Sequence, residues 1–244
     1  MTATAPRSCP ADMHRGERLR LPLVHDRAGW LEELCARAEG EVAHLGCADS
    51  PYTGELLAAG LLLHSRLARV ANVTGFDVDA ASLGLLAEAM PSERFVHGDI
   101  TIELPESERD RYELVVAGEV LEHVPDADAF LRGCVALLAP GGRLCITVPN
   151  ACCPKIGLRA LAGRESVHPD HRVYYSPRTL TRTLDGAGFD TVELLTCFPA
   201  GAGRAGRALV NPLLTVGHRL FQGPVGDGLI AVARARSNPS AIAS

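Results

Sequence analysis

Two aspartates and a glycine turn carry the first chemistry legible in this sequence. The segment Glu41-Val-Ala-His-Leu-Gly-Cys-Ala-Asp-Ser50 is an apolar run that enters a turn at Gly46. A second apolar run, Val73-Thr-Gly-Phe-Asp77, ends in an acid, and Gly98-Asp99 closes a third. An open α/β sheet builds a nucleoside pocket this way. The glycine lets the backbone approach the ligand, and the acid at the next strand tip accepts hydrogen bonds from ribose hydroxyls. A second group, Glu119, Glu122 and His123, follows the apolar run at 112–117. A third, His168, Asp170 and His171, precedes Tyr174 and Tyr175. Imidazole titrates near neutral pH, so a His–Asp neighbourhood suits a general base.

Each of these residues also has a plainer reading. Asp77 and Asp99 would bind a ligand, or cap a strand end and a turn. Leu45 and Ile100 would wall a pocket or belong to the core, and Asp79 reads as a helix N-cap. Glu119 is a candidate for ligand contact, whereas Glu122 reads as a brace or cap for the following helix. His123 stands between base and brace, and His168 and His171 between base and loop support. Tyr174 and Tyr175 would wall a substrate pocket or pack. His44, His64 and His97 lie among apolar residues and read as structural. The spacing of His168, Asp170 and His171 fits no zinc pattern, and the eight cysteines contain no CxxC pair. No metal is expected.

The turn also discriminates between cofactors. A dinucleotide wants G-x-G-x-x-G opening a helix, so that its pyrophosphate meets backbone N–H groups. Cys47-Ala48-Asp49-Ser50 instead places an acid where a pyrophosphate would sit. That charge repels a phosphate and accepts hydrogen bonds from an ammonium group, which favours a methionine-derived sulfonium over NAD.

The elements that must position these groups alternate. Strands are expected at 42–45, 73–77, 94–97, 112–117, 143–148, 191–197 and 229–233, with Pro140-Gly141-Gly142 as a turn before the fifth. Trp30, Leu31, Leu34, Cys35 and Ala38 mark an amphipathic helix over 28–39. Further helices are expected at 52–59, 80–89, 126–138, 176–187 and 208–221. Ser176 is the expected N-cap of the helix at 176–187, with Pro177 at its first position. Strands alternating with helices predict a doubly wound, mostly parallel seven-stranded sheet with helices on both faces. Residues 1–26 read as a flexible arm or lid, 27–235 as one domain with an insertion near 200–226, and 236–244 as a disordered tail.

The chain has 244 residues, 47% apolar and 22% charged, enough for one ordinary globular core. A net charge of −5 with scattered arginines argues against a nucleic-acid footprint. The longest apolar run is too short to span a bilayer, and residues 1–20 have no apolar signal core. Cysteines in apolar runs fit a reducing cytoplasm. Oligomeric state is not legible.

In order along residues 40–197 the chain resembles the class I S-adenosylmethionine-dependent methyltransferases. The resemblance rests on His44-Leu-Gly-Cys-Ala-Asp49, Asp77, Gly98-Asp99-Ile100, Ala117-Gly-Glu-Val-Leu-Glu-His-Val-Pro125 and Leu137-Leu-Ala-Pro-Gly-Gly-Arg-Leu144. His168-Pro-Asp-His171 with Tyr174-Tyr175-Ser-Pro is similar to a segment of small-molecule and sugar-pathway members. The resemblance implies a Rossmann-like methyltransferase fold and S-adenosylmethionine as cofactor. It implies Gly46, Cys47, Asp49, Asp77, Val78, Asp99, Ile100, Gly118 and Glu119 as cofactor contacts, with Asp99 near the adenine edge. His171, His168 and His123 become catalytic candidates, and Tyr174 and Tyr175 acceptor contacts. The expected activity is methyl transfer to oxygen or nitrogen of a small molecule. A non-catalytic binder of the same cofactor and a nicotinamide-dependent oxidoreductase are the alternatives. The chain departs from the family pattern where His44 replaces the usual acid and where Ala48 and Ser50 replace glycines.

Overall fold

The computed structural model describes residues 19–165, 167–198 and 205–236. An eight-stranded sheet runs through it in the order β1-β7-β8-β6-β5-β2-β3-β4. The seven expected strands are β2 (Val42–Leu45), β3 (Val73–Asp77), β4 (Arg94–His97), β5 (Tyr112–Gly118), β6 (Leu138–Pro149), β7 (Phe189–Cys197) and β8 (Gly228–Ala235). Among the described residues only β8 pairs antiparallel, between β6 and β7.

The eighth strand corrects the reading of residues 1–26. Leu23–Val24 form β1, a short edge strand parallel to β7, and Leu21 beside it is buried. Residues 1–18 and 237–244 lie outside the described residues, as do 199–204 of the expected insertion. The described part of that insertion includes α8 (Ala205–Phe221), with Pro212 inside it. A second correction concerns Pro140-Gly141-Gly142, which lies inside β6 rather than before it. The β5–β6 register shifts between the Tyr112 and Leu114 pairings. Gly141 has φ +82°, and a Cβ on Gly142 would lie 2.9 Å from the Tyr112 carbonyl. The glycines let the strand carry an irregularity against β5. The sequence reading also omits α6 (Pro154–Leu161), a short helix that buries none of its residues.

Period-two alternation divides the core between two faces. Ala43, Leu45, Val115, Ala117, Ile146 and Val148 face α5 (Ala127–Leu137) and α7 (Pro177–Gly186). Val42, Val73, Leu114, Val116, Cys145 and Ile230 face α1 (Arg27–Ala36) and α3 (Leu63–Leu67). Strands covered on both sides read as near-continuous apolar runs, and all four residues of β2 are buried. The chain leaves β2 toward β3 and β4 on one side, then returns to lay β5 on the other. The carboxyl ends of β2 and β5 therefore flank the point where the strand order reverses, the place where open α/β sheets bind ligands.

Candidate active site

At that reversal lies a cavity of about 280 Å³. Its wall includes Gly46 after β2, Asp77 and Val78 at the end of β3, Asp99 and Ile100 after β4, and His123 after β5. Six of the sequence-predicted site residues thus share one concavity. Gly46 has φ +69°, and a Cβ there would lie 2.5 Å from Val120 Cγ2. Only glycine fits both the left-handed backbone and the close approach. Asp77 Oδ2 accepts from the Ala48 N–H at 2.9 Å and Oδ1 from the Asp79 N–H at 3.0 Å. A carboxylate has about four lone-pair sites, so these two bonds fix its position and leave acceptor capacity for a ligand. Asp99 caps its turn, with Oδ1 accepting from the Thr101 N–H at 2.9 Å, and it also lines the cavity. Asp79 is the N-cap of α4 (Ala80–Ala89); its hydrogen bonds to Ser50 and Ser82 lower its carboxyl to about 2.

Other predicted contacts sit differently. Cys47 is buried, and its Sγ points beneath β3, 2.7 Å from where a Gly75 Cβ would be. Only its backbone belongs to the turn. Asp49 is at the surface with φ +55°. The protein on its inner side raises its pKa, Arg27 opposes that rise, and Asp77 and Glu119 add to it. Gly118 ends β5. Glu119 has φ +56° and is held by Arg27 Nη1 at 2.5 Å and Thr147 Oγ1 at 3.1 Å. Burial works against the Arg27 charge, but Glu119 beside it more than compensates, and the guanidinium pKa is raised. A non-glycine residue in this conformation is held by its surroundings, a pattern that clusters at functional sites.

The histidines converge. The loop carrying His168 and His171 is tied to the segment after β5 by the Arg172 N–H, which donates to the Glu122 carbonyl at 2.8 Å. The rings of His123 and His171 lie 4.6 Å apart, those of His168 and His171 5.3 Å. Tyr174 is half-buried with its ring 6.1 Å from His171. Tyr175 instead packs into the core at 3% exposure, its backbone bridged to Asn150. Burial lowers the His171 pKa, with His123 and His168 adding to the effect.

Glu122 departs from its expected bracing role. It is fully buried, neither carboxylate oxygen has a hydrogen-bond partner among the described residues, and α5 is capped by Asp126 instead. Burial, reinforced by Glu119, raises its carboxyl to about 8. Sequence reasoning also missed Arg27. Both depend on contacts between distant segments. The one clue in the sequence is an acid adjoining His123 at a strand tip. His44 and His64 are structural as expected, with stacked rings and Nδ1 atoms 3.2 Å apart inside the protein.

The methyltransferase domain family matches residues 27–194, more than half of the chain. The chain belongs to this family of S-adenosylmethionine-dependent methyltransferases. The oxidoreductase alternative falls with that membership. Among curated relatives, the ubiquinone biosynthesis O-methyltransferase of Pseudomonas putida (strain GB-1) is 30% identical over 144 residues, 58% of this chain and 57% of its own length. This chain therefore spans less than two thirds of that relative. The protein of the same name from Pseudomonas aeruginosa (strain UCBPP-PA14) is 28% identical over 186 residues, 70% of this chain and 75% of its own. The fold is similar to N-methyltransferase NodS from Bradyrhizobium japonicum WM9, solved with S-adenosyl-L-homocysteine. The TM-score is 0.51 at 19% identity, covering 86% of each chain. The citrinin polyketide synthase CMeT domain has a TM-score of 0.55 at 14% identity, covering 86% of this chain and 52% of that one.

The cavity fits the family's cofactor. Apolar Ile100 and Leu45 provide walls for a flat base. Asp77 at the β3 tip offers oxygens to a ribose, and the Gly46 turn leaves the backbone bare of side chain.

Proposed function

We propose that this protein transfers a methyl group from S-adenosylmethionine to an oxygen or nitrogen of a small acceptor such as a sugar or secondary metabolite. The observation that carries this reading is His123. It lines the cofactor cavity and also touches the His168–His171 loop, so one residue links the place for the cofactor to a cluster able to handle a proton. The cofactor, when bound, supplies an electrophilic methyl group.

The chain's own residues do the rest. Asp77 accepts from the ribose hydroxyls, while Leu45 and Ile100 enclose the adenine and Asp99 lies at its edge. Asp49, Glu119 and the backbone at Gly46, Cys47 and Gly118 face the methionine end. Tyr174 borders the acceptor, and His123, His168 and His171 handle its proton. Alignment of reacting atoms lowers a barrier by about 7–11 kcal/mol in favourable cases, whereas a general base contributes about 10²–10⁴-fold. Alignment outweighs proton handling here, and loss of one histidine slows turnover while leaving the cofactor bound. An oxygen acceptor is supported by the names of the curated relatives, O-methyltransferases of ubiquinone biosynthesis. The net charge of −5 supports a small acceptor over nucleic acid. The seven described cysteines are all unpaired, which supports a reducing, cytoplasmic location.

The test is transfer of isotope-labelled methyl from S-adenosylmethionine to a panel of hydroxylated and aminated small molecules. Labelled product from a hydroxyl or amine acceptor supports the reading. S-adenosylhomocysteine binding without turnover anywhere on the panel makes the chain a non-catalytic cofactor binder.

A further inference from the structure

We infer that Glu122, His123 and His171 form a binding site for one divalent transition-metal ion at the acceptor end of the cavity. One ligand atom from each residue lies within 4.8 Å of the others. Two ligands about 2.1 Å from a common ion are at most about 4.2 Å apart, so closing on an ion asks for shifts of under about 1 Å.

Two further observations point to a missing ligand. Glu122 is 0% exposed, yet both its carboxylate oxygens lack a hydrogen-bond partner among the described residues. His171 Nδ1 is buried and equally without a partner among them. Buried polar groups are normally paired, and bare ones on two residues of one cluster call for a further partner there. Direct pairing of Glu122 with His171 Nδ1 does not occur, since neither has a partner at hydrogen-bond distance.

His123 is already oriented as a metal-binding histidine is. Its Nδ1 lies 3.2 Å from the Asp170 carbonyl oxygen. With Nδ1–H donating there, the lone pair resides on Nε2, the arrangement by which backbone carbonyls fix metal-ligating imidazoles. Arg172 N–H holds the loop to the Glu122 carbonyl, so the two segments supplying ligands are tethered to each other. Two imidazole nitrogens and one carboxylate oxygen suit manganese, iron, cobalt or zinc. Magnesium and calcium prefer all-oxygen sites.

Three protein ligands leave positions open. An acceptor hydroxyl bound there would be acidified by the ion; with metal bound, His123 and His171 serve as ligands and the hydroxyl proton passes to His168, the histidine of the cluster outside the ligand set. This use of the ion rests on the function proposed above; the site itself does not.

The probe is Co²⁺, added to the chelator-treated full chain and followed by its visible absorption. Binding of one Co²⁺ per chain, with a nitrogen- and oxygen-ligated spectrum, is the expected result. Glu122→Gln and His171→Ala should each weaken that binding by about 100-fold or more, with far-UV circular dichroism recording the fold. His123→Ala, at a half-buried position, serves should either variant fail to fold. His97→Ala, a surface histidine, should change nothing. Absence of stoichiometric binding overturns the site. So does binding that survives Glu122→Gln and His171→Ala, or that is lost with His97→Ala instead. S-adenosylhomocysteine titrated into the same metal-free protein separates the two proposals. Cofactor binding without Co²⁺ binding removes the metal site alone, and loss of cofactor binding removes the methyltransferase reading.

Discussion

Gly46 has no room for a side chain. Its φ of +69° and the 2.5 Å that would separate an added Cβ from Val120 Cγ2 act together. Gly46→Ala should lower stability by more than about 1 kcal/mol, measured by urea unfolding, and weaken S-adenosylhomocysteine binding about tenfold or more by calorimetry. Unchanged values in both would contradict the role given to this turn. Strand-tip residues such as Asp77, Val78, Asp99 and Ile100 are legible in the sequence because position in a parallel sheet fixes where a strand's end must face. Cys47 is legible only as part of the turn, since burial of its thiol depends on Gly75 leaving a space beneath β3. Glu122 escapes sequence reasoning because its environment is made by a loop about fifty residues later in the chain, joined to it by backbone hydrogen bonds.

Ser176 works at the scale of an element. Its hydroxyl accepts from the Thr179 N–H, the Thr179 hydroxyl answers the Ser176 N–H, and Pro177 starts α7. Ser176→Ala should cost about 1 kcal/mol of stability. Cofactor affinity should stay unchanged, because no residue of α7 lines the cavity. Denaturant unfolding checks the first part and calorimetry the second. This cap is plain in the sequence, as are β3, α4 and β4, whose bounds coincide with those expected. Each has a local signal: alternating or helical periodicity bounded by Asp, Gly or Pro. The β6 irregularity is not legible, because Pro-Gly-Gly signals a turn equally well when a strand continues through it. The pair Leu23–Val24 escapes because a two-residue edge strand exists only by pairing with β7. The helix α6 buries no residue, so its sequence carries little core pattern to read.

For the whole molecule, the His44–His64 pair sets a pH limit. Burial lowers both, His64 to about 4 and His44 well below its ordinary value, where His64 adds to the effect. An unfolded histidine titrates near 6.5. At these two sites the folded state therefore binds fewer protons than the unfolded one in this interval. The pair's contribution is intact above about pH 6.5 and is lost as pH falls toward about 4, up to about 3 kcal/mol for His64. Glu108 and Asp79, both at about 2, add their own losses as pH falls from the ordinary carboxylate range through about 2. The raised Glu122 carboxyl acts with the opposite sign over this interval, so the test is the difference between proteins: from about pH 7.5 to about pH 5 the natural chain should lose more unfolding free energy than His64→Gln, in which buried His44 keeps its own share. An equal difference in both proteins would place the acid sensitivity elsewhere.

The central claim is that the carboxylate at the end of β3 holds the cofactor's ribose. Calorimetric titration of S-adenosylhomocysteine into the natural chain and into Asp77→Ala tests it most directly. Hydrogen bonds to a charged group are worth about 1.5–3 kcal/mol, so the substitution should weaken binding by about 10- to 150-fold in a protein that still folds. Equal affinity in the two proteins, or no affinity in the natural chain, would contradict it.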